Sequence, residues 1–359
     1  MRVGILSYPM LFQREGGLQI QVRETVAALN RLMPVPGRPL QVGLVDVNYD
    51  RLADYDLIHV FSAINGNFRI VEMAHELGLP VVLSPLLSPG WNRAAVRRAE
   101  LADRLAGRLT DWMVQTSYAQ TRRALHLSTL VLALGEAERE AIAQGFGVAD
   151  DKIRVLPNGV NPHFFTANGD LFRRETGIAG PFVLMVGSIS PYKNQLGLAL
   201  ALAGSALPVV LIGHAPRHEL PYLQQLLALP NVTWLGSLEH VDPLLASAYH
   251  AAAVVALPSQ GEVLPLSVLE ALAAGTPVVM TAQSALDLPD SAFALRKVHW
   301  EDGAAQRLAI EQLAAQPPER ARVQALVEQF SWDRVAGQIA ECYFQLHAAS
   351  APAGRRHAV

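Results

Sequence analysis

The sequence predicts an α/β chain of two doubly wound, parallel-stranded units, and three observations predict it. Short runs of β-branched and aliphatic residues alternate with longer stretches of helical periodicity, the pattern of strands joined by helical crossovers. The alternation runs through about the first 160 residues and then begins again. The chain has 359 residues, 51% of them hydrophobic and 17% charged, enough apolar surface for two cores.

The elements follow in order. RVGILSY (2–8) reads as the first strand. Gly16-Gly17 then opens a helix whose apolar residues fall at 18, 22, 26, 29 and 32, a period of about 3.6. LQVGLVDV (40–47), DLIHVF (56–61), PVVLSP (80–85) and TLVLAL (129–134) continue the strands, and KIRVLPNGV (152–160) closes the series as a strand and turn. The second series starts at FVLMVGS (182–188), followed by a helix from about Asn194. PVVLIG (208–213), NVTWLG (231–236), AAVVALP (252–258) and TPVVMT (276–281) repeat the pattern. A last helix is expected over about 332–348, and the tail APAGRRHAV is expected to fray. The expected units are 1–165, completed by a terminal helix within 331–350, and 166–330. The join lies in Asn158–Gly169, rich in Asn, Gly and Pro.

Composition excludes several classes. A net charge of −3 and a pI near 6.4 are the wrong balance for binding nucleic-acid phosphates. A single cysteine, Cys342, rules out an internal disulfide and a cysteine-based metal site, and it fits a reducing cytosol. MRVGILSYPM is too short an apolar run for a secretion signal. The longest apolar tract, Leu196–Gly213, is broken by Gly197, Gly204, Ser205 and Pro208 and reads as a helix followed by a strand.

In doubly wound sheets, ligands bind beyond the carboxyl ends of the strands, so the residues just after strands carry the chemistry. The richest such stretch is SQGEVLPLSVLEALAAGTPVV (259–279). Pro265 suits the first position of a helix, Gly275 stops it, and LSVLEALAAG between them is apolar nearly all round, hence buried. Glu262 falls in the preceding loop and Glu270 inside the helix. The free first-turn amides around Leu266 and Ser267 form an anion site. A buried carboxylate demands hydrogen-bond donors. A ribose diol, a diphosphate and a sugar together match one carboxylate, a helix terminus and a second carboxylate. A lysine or arginine partner is the alternative for Glu270.

This segment resembles the signature of the family-4 glycosyltransferases, retaining enzymes of the GT-B fold. In that signature a Ser or similar residue precedes a Glu, followed by seven residues, Glu-Ala and a Gly-x-Pro-Val-Val strand. The matching residues are Ser259, Glu262, Glu270-Ala271 and Gly275-Thr276-Pro277-Val278-Val279. VLPNGVNPHFF (155–165), FVLMVGSISPYKN (182–194), NVTWLGSL (231–238) and FSWDRVAGQIAECY (330–343) are similar to further family segments, in the family's order. The resemblance implies two Rossmann-like units facing across a cleft, with the C-terminal helix crossing back to the first.

It also implies roles. Glu262 contacts the transferred sugar, and Lys193 neutralises the leaving diphosphate. Glu270 holds the ribose, Leu266 and Ser267 the phosphates, and Leu238 lies near the base. Gly16 and Gly17 let the first helix approach the diphosphate. Ser188, standing where the family often has arginine, is placed with the donor-binding residues. Tyr192 stands where some relatives carry a second arginine. Pro265 replaces a common glycine and removes one amide from the phosphate cradle. Leu86 stands where many members have a histidine, and His59 on DLIHVF is the nearest substitute as an acceptor contact.

Other features carry less. Asp54-Tyr55-Asp56 spells a D-x-D but precedes its strand, the wrong end for a metal. Arg93, Arg97, Arg104 and Arg108 share a helical face with Glu100, which reads as intrahelical pairing or as a site for a phosphate-bearing acceptor or membrane surface. His214 follows a strand, and no Gly-x-Gly-x-x-Gly argues for a nicotinamide enzyme.

The expected activity is therefore hexosyl transfer from a nucleotide-diphosphate sugar to a glycan, lipid-linked or small-molecule acceptor. No metal is expected, and no cofactor beyond the sugar nucleotide as co-substrate. The expected setting is the cytoplasm, with peripheral contact at the inner face of the membrane. Two alternatives remain. One is a non-catalytic binding or scaffold protein on the same fold, motivated by Ser188 and Leu86; the other is a nucleotide-sugar epimerase.

Overall fold

A computed structural model of the chain describes residues 1–13, 16–32, 38–88, 90–91, 93–109 and 115–350, with Arg93 described in its backbone only. The Arg93 side chain and the tail 351–359, singled out in the sequence, lie outside the described residues. The described residues within 1–14, 18–158 and 332–359 form one compact unit, and those within 15–17 and 159–331 form a second.

The first unit contains β1 (Arg2–Leu6), α1 (Gly17–Arg31), β2 (Gln41–Leu44), β3 (Leu57–Phe61), α2 (Phe68–Glu76), β4 (Val81–Ser84), α3 (Arg93–Leu109), α4 (Ser117–Leu127), β5 (Leu130–Ala133), α5 (Glu136–Glu140) and β6 (Ile153–Val155). Its sheet is parallel, in the order β2-β1-β3-β4-β5-β6. Every residue of β3, β4 and β5 is buried. A sheet covered on both faces requires this, and it explains why these strands read as unbroken apolar runs instead of alternating.

His59 interrupts such a run. It sits in the middle of β3 and is 0% exposed. Its Nδ1 lies 2.6 Å from the Tyr343 hydroxyl and its Nε2 lies 2.9 Å from Ser84 Oγ. Burial lowers its pKa to about 3, so the ring is neutral. The expectation that His59 touches an acceptor is therefore corrected. A central strand buried on both faces offers its side chains no solvent, and this histidine instead ties β3 to β4 and to the C-terminal helix.

The second unit contains α6 (Pro162–Phe165), α7 (Asp170–Thr176), β7 (Val183–Val186), α8 (Gln195–Ala201), β8 (Val209–Ile212), α9 (Leu220–Leu227), β9 (Val232–Trp234), α10 (Pro243–Ala251), β10 (Val254–Leu257), α11 (Leu266–Ala273), β11 (Val278–Thr281), β12 (Leu295–Val298), α12 (Gly303–Ala315) and α13 (Arg320–Ala325). The chain then returns to the first unit as α14 (Trp332–Ser350), which carries Tyr343. The second sheet is parallel, in the order β12-β11-β10-β7-β8-β9. Strand order reverses between β7 and β10, and a doubly wound sheet opens its ligand crevice beside such a switch point. Strand β12 escapes the sequence pattern because LRKV is half charged and partly exposed at the sheet edge.

The tract 196–213 divides into α8 and β8 as expected. Among the described residues no helix is long and apolar enough to cross a membrane. The Asp56 carboxylate accepts the Arg2 amide (2.7 Å) at the amino end of β3. On α3, Glu100 accepts the Tyr118 hydroxyl (3.0 Å), while Arg97, Arg104 and Arg108 are exposed.

Candidate functional site in the second unit

The carboxyl ends of β7 and β10 assemble most of the residues singled out above. After β7 the chain passes through Gly187 and Ser188 and makes a short turn at Pro191–Lys193. Gln195 is fully buried at the start of α8. Its side-chain amide donates to the Ser188 carbonyl (2.9 Å), and its oxygen accepts the Ser190 amide (3.3 Å). This fixes the loop from behind. Gly213, at the end of β8, has φ +154°, and a Cβ there would stand 2.1 Å from the Gly187 carbonyl. Only glycine permits the two strand ends to approach this closely. In the loop after β8 the His214 carbonyl accepts the Ile189 amide (2.8 Å).

The loop after β10 meets the loop after β7 directly. Lys193 Nζ donates to Glu262 Oε1 at 2.6 Å, with the two side chains 25% and 12% exposed. The Tyr192 hydroxyl donates to the Gly261 carbonyl (2.7 Å), and the Gln260 amide donates to the Tyr192 carbonyl (2.9 Å). Burial, and then the charge of Glu262, raise the pKa of Tyr192, which stays a donor. On its other side Glu262 is pinned by its own amide, which donates to the Gln283 carbonyl (2.8 Å). The carboxylate and the ammonium are thus held at the strand-end surface by backbone on both sides. Ser259, just before them, is fully buried with a hydroxyl that finds no partner among the described residues.

Pro265 proves to be the residue preceding helix α11, one position earlier than the sequence suggests. It lacks an N–H at either position, and no side chain caps the helix. The first-turn amides at Leu266 and Ser267 therefore have no acceptor within the helix, which leaves a donor edge of positive dipole. Leu266 is buried, whereas Ser267 is half-buried.

Glu270 lies more than one turn into α11 and is 4% exposed. It is engaged by two side chains. The Tyr249 hydroxyl donates to Oε2 (2.7 Å), and His240 Nε2 donates to Oε1 (2.9 Å). Tyr249 is fully buried on α10. Burial and the neighbouring Glu270 charge push its pKa well above the usual value, so it remains a donor. The Lys or Arg partner open as an alternative at the sequence level is not what meets Glu270; Tyr249 and His240 meet it instead. Leu238 is half-buried in the loop after β9, two residues before His240. Gly16 and Gly17 are exposed, with open space at each missing Cβ. Among the described residues no group of three or more His, Cys, Asp or Glu could hold a metal ion.

Sequence reasoning missed Gln195, Tyr192, Tyr249 and His240 as parts of this site. Tyr249 and His240 are 21 and 30 positions from Glu270 and carry no local signal. His240 lies close enough to Leu238 that the loop after β9 was already marked.

Comparison with known proteins finds glycosyltransferases. The model of Glycosyltransferase Family 4 matches residues 5–164, and that of Glycosyl transferases group 1 matches residues 170–287. An uncharacterized glycosyltransferase of Methanocaldococcus jannaschii is 29% identical over 47% of this chain and 48% of its own length. A D-inositol 3-phosphate glycosyltransferase of Stackebrandtia nassauensis is 28% identical over 58% of this chain and 52% of its own. The chain thus spans about half the length of these two relatives. The enzyme of the same name from Mycobacterium leprae is 26% identical over 96% of this chain and 87% of its own. Among solved structures, Anabaena HepE has a TM-score of 0.72 at 19% identity, covering 96% of this chain and 100% of its own. Sucrose-phosphate synthase of Thermosynechococcus elongatus has a TM-score of 0.70 at 21% identity, covering 97% and 99%. These two share the GT-B fold with this chain. The two models together take in most of the chain, one for each half, and the chain belongs to the family-4, group 1 glycosyltransferases.

Proposed function

We propose that the chain is a retaining, metal-independent glycosyltransferase that moves a hexosyl group from a nucleotide-diphosphate sugar to an acceptor. One observation carries the reading. Lys193 and Glu262 are paired at 2.6 Å beside the uncapped end of α11, with Glu270 buried deeper in the same helix. A cation, a row of free amides and two carboxylates thus stand together at one switch point. HepE solved with UDP and with UDP-glucose supports a nucleotide-sugar ligand.

In this reading Glu270 receives the ribose hydroxyls and Leu238 flanks the base. The Leu266 and Ser267 amides, Lys193 and the Ser188 loop address the diphosphate. As the sugar–phosphate bond breaks, its electron pair goes to the diphosphate oxygen. The developing charge is met by Lys193 and the helix amides, an electrostatic term worth about 10²–10³ in rate per donor. The neutralisation that a divalent ion supplies elsewhere falls here to these groups. Glu262 holds the ammonium in place and faces the sugar. The departing phosphate accepts the acceptor's proton on the same face, so the anomeric configuration is retained.

The test is a screen of UDP-, GDP- and ADP-sugars against glycan, lipid-linked and small-molecule acceptors. Nucleotide release is followed with and without EDTA, and the product anomer is read by NMR. Lys193→Ala should lower kcat by about 10²–10³, and EDTA should leave the wild-type rate unchanged. Unchanged kinetics in both Lys193→Ala and Glu270→Ala would overturn the site assignment.

A further inference from the structure

The ribose reading of Glu270 leaves open what makes one carboxylate choose a ribose, and the inference below rests on that reading. We infer that His240 is a positioning residue that sets the preference of this site for ribonucleotides over deoxyribonucleotides.

An ionised carboxylate has about four acceptor positions, two on each oxygen. The chain fills one on each: Tyr249 on Oε2 and His240 on Oε1. One acceptor position therefore remains on each oxygen, the pattern that two vicinal hydroxyls require. The terminal torsion of a glutamate is soft, so a single donor does not fix the carboxylate plane. Tyr249 alone is such a single donor. It is rigid, because its ring packs edge-on against Phe164 (5.6 Å) and its carbonyl accepts the Thr276 hydroxyl (2.7 Å). The plane is set only when the second donor arrives from a different element.

His240 comes from the loop between β9 and α10. That loop is fastened two residues later, where the Asp242 carboxylate caps α10 by accepting the Leu244 amide (2.8 Å). The His240 ring is seated against Phe164 (5.6 Å) and His163 (6.2 Å). Its side chain is 13% exposed against 5% for Glu270, so of the three hydrogen-bonded groups it lies nearest solvent. His240 thus supplies the second donor that fixes the plane of a buried carboxylate and makes it a bidentate acceptor. Without it Glu270 still accepts one hydroxyl, but the geometric demand for a second one relaxes.

The experiment is calorimetric titration of the full chain with UDP, GDP and ADP and with the 2′-deoxy form of each. The nucleotide that binds tightest is carried forward with its deoxy form. Wild type should prefer the ribo form by about tenfold or more, the value of one charge-assisted hydrogen bond. His240→Ala should bring that ratio close to one while deoxy affinity stays within about twofold. His240→Gln, which keeps an N–H donor, should recover part of the preference. Glu270→Ala separates the two claims. A ribo preference that survives Glu270→Ala, or is missing in wild type, overturns the ribose reading itself. A preference lost in Glu270→Ala but kept in His240→Ala overturns the role of His240. An equal loss of both nucleotides in His240→Ala shows a packing role only and overturns it as well.

Discussion

Glu138 and Glu270 occupy similar places, each inside the helix that follows a central strand, one in each unit. Glu138 lies in α5 after β5, and Glu270 lies in α11 after β10. Glu138 is 0% exposed, and its donors are backbone: Leu87 N–H on Oε1 (2.6 Å), Leu134 N–H on Oε2 (2.7 Å) and the Leu86 amide. Burial raises its pKa to about 7 against the opposing pull of those amides. Such a carboxylate fastens the loops after β4 and β5 to each other, and one of the residues it holds, Leu86, sits at φ +58°. Glu270 has side-chain donors instead. Backbone donors belong to the fold and spend a carboxylate on it. Side-chain donors orient a carboxylate while leaving capacity for a ligand.

The comparison breaks most visibly at Glu270. Glu270→Gln should reduce nucleoside diphosphate affinity by about tenfold or more while shifting the urea midpoint little, because the Tyr249 hydroxyl can rotate to accept from the new amide nitrogen. Glu138→Gln should do the reverse. Its amide nitrogen would face backbone donors, leaving one or two unsatisfied at about 1–3 kcal/mol each, with nucleotide affinity within about twofold. A Glu138 variant that abolished nucleotide binding at unchanged stability would erase the distinction.

The pH dependence sharpens it. The folded chain holds the Glu138 proton from the ordinary carboxylate range up to about pH 7, so this group stabilises most at low pH. Its contribution falls as pH rises from about 4.5 to 7, by at most about 1.4 kcal/mol per unit. The stability gap between wild type and Glu138→Gln should therefore narrow from pH 5 to pH 7.5 in urea titrations. His59 acts in the opposite sense. With its pKa lowered to about 3, its contribution is full above pH 6.5 and is lost as pH falls toward 3. Acid unfolding of His59→Gln, followed by circular dichroism, should accordingly be less steep than that of wild type. The smallest expected effect is at Leu86: relief of its positive φ in Leu86→Gly should change stability by under about 1 kcal/mol, because lost side-chain burial offsets it.

The two glutamates of 259–279 are legible in the sequence because one strand, loop and helix carries both. Their partners are not. Lys193 is 69 positions from Glu262, and only the strand order β10-β7 brings them together. Tyr249 reads as one more residue of an apolar helix and His240 as a loop histidine. His59 misleads for the converse reason. In a strand buried on both faces no alternation marks which side chains see solvent, so a fastened core histidine looks like a candidate contact. Charged LRKV hides β12 because an edge strand needs no apolar run.

The most direct test of the central claim is calorimetric titration of wild type, Lys193→Ala and Glu270→Ala with UDP, GDP and ADP. The account predicts that wild type binds at least one of the three and that each substitution weakens that binding by about tenfold or more. Absence of binding in wild type, or equal binding by all three proteins, would contradict it.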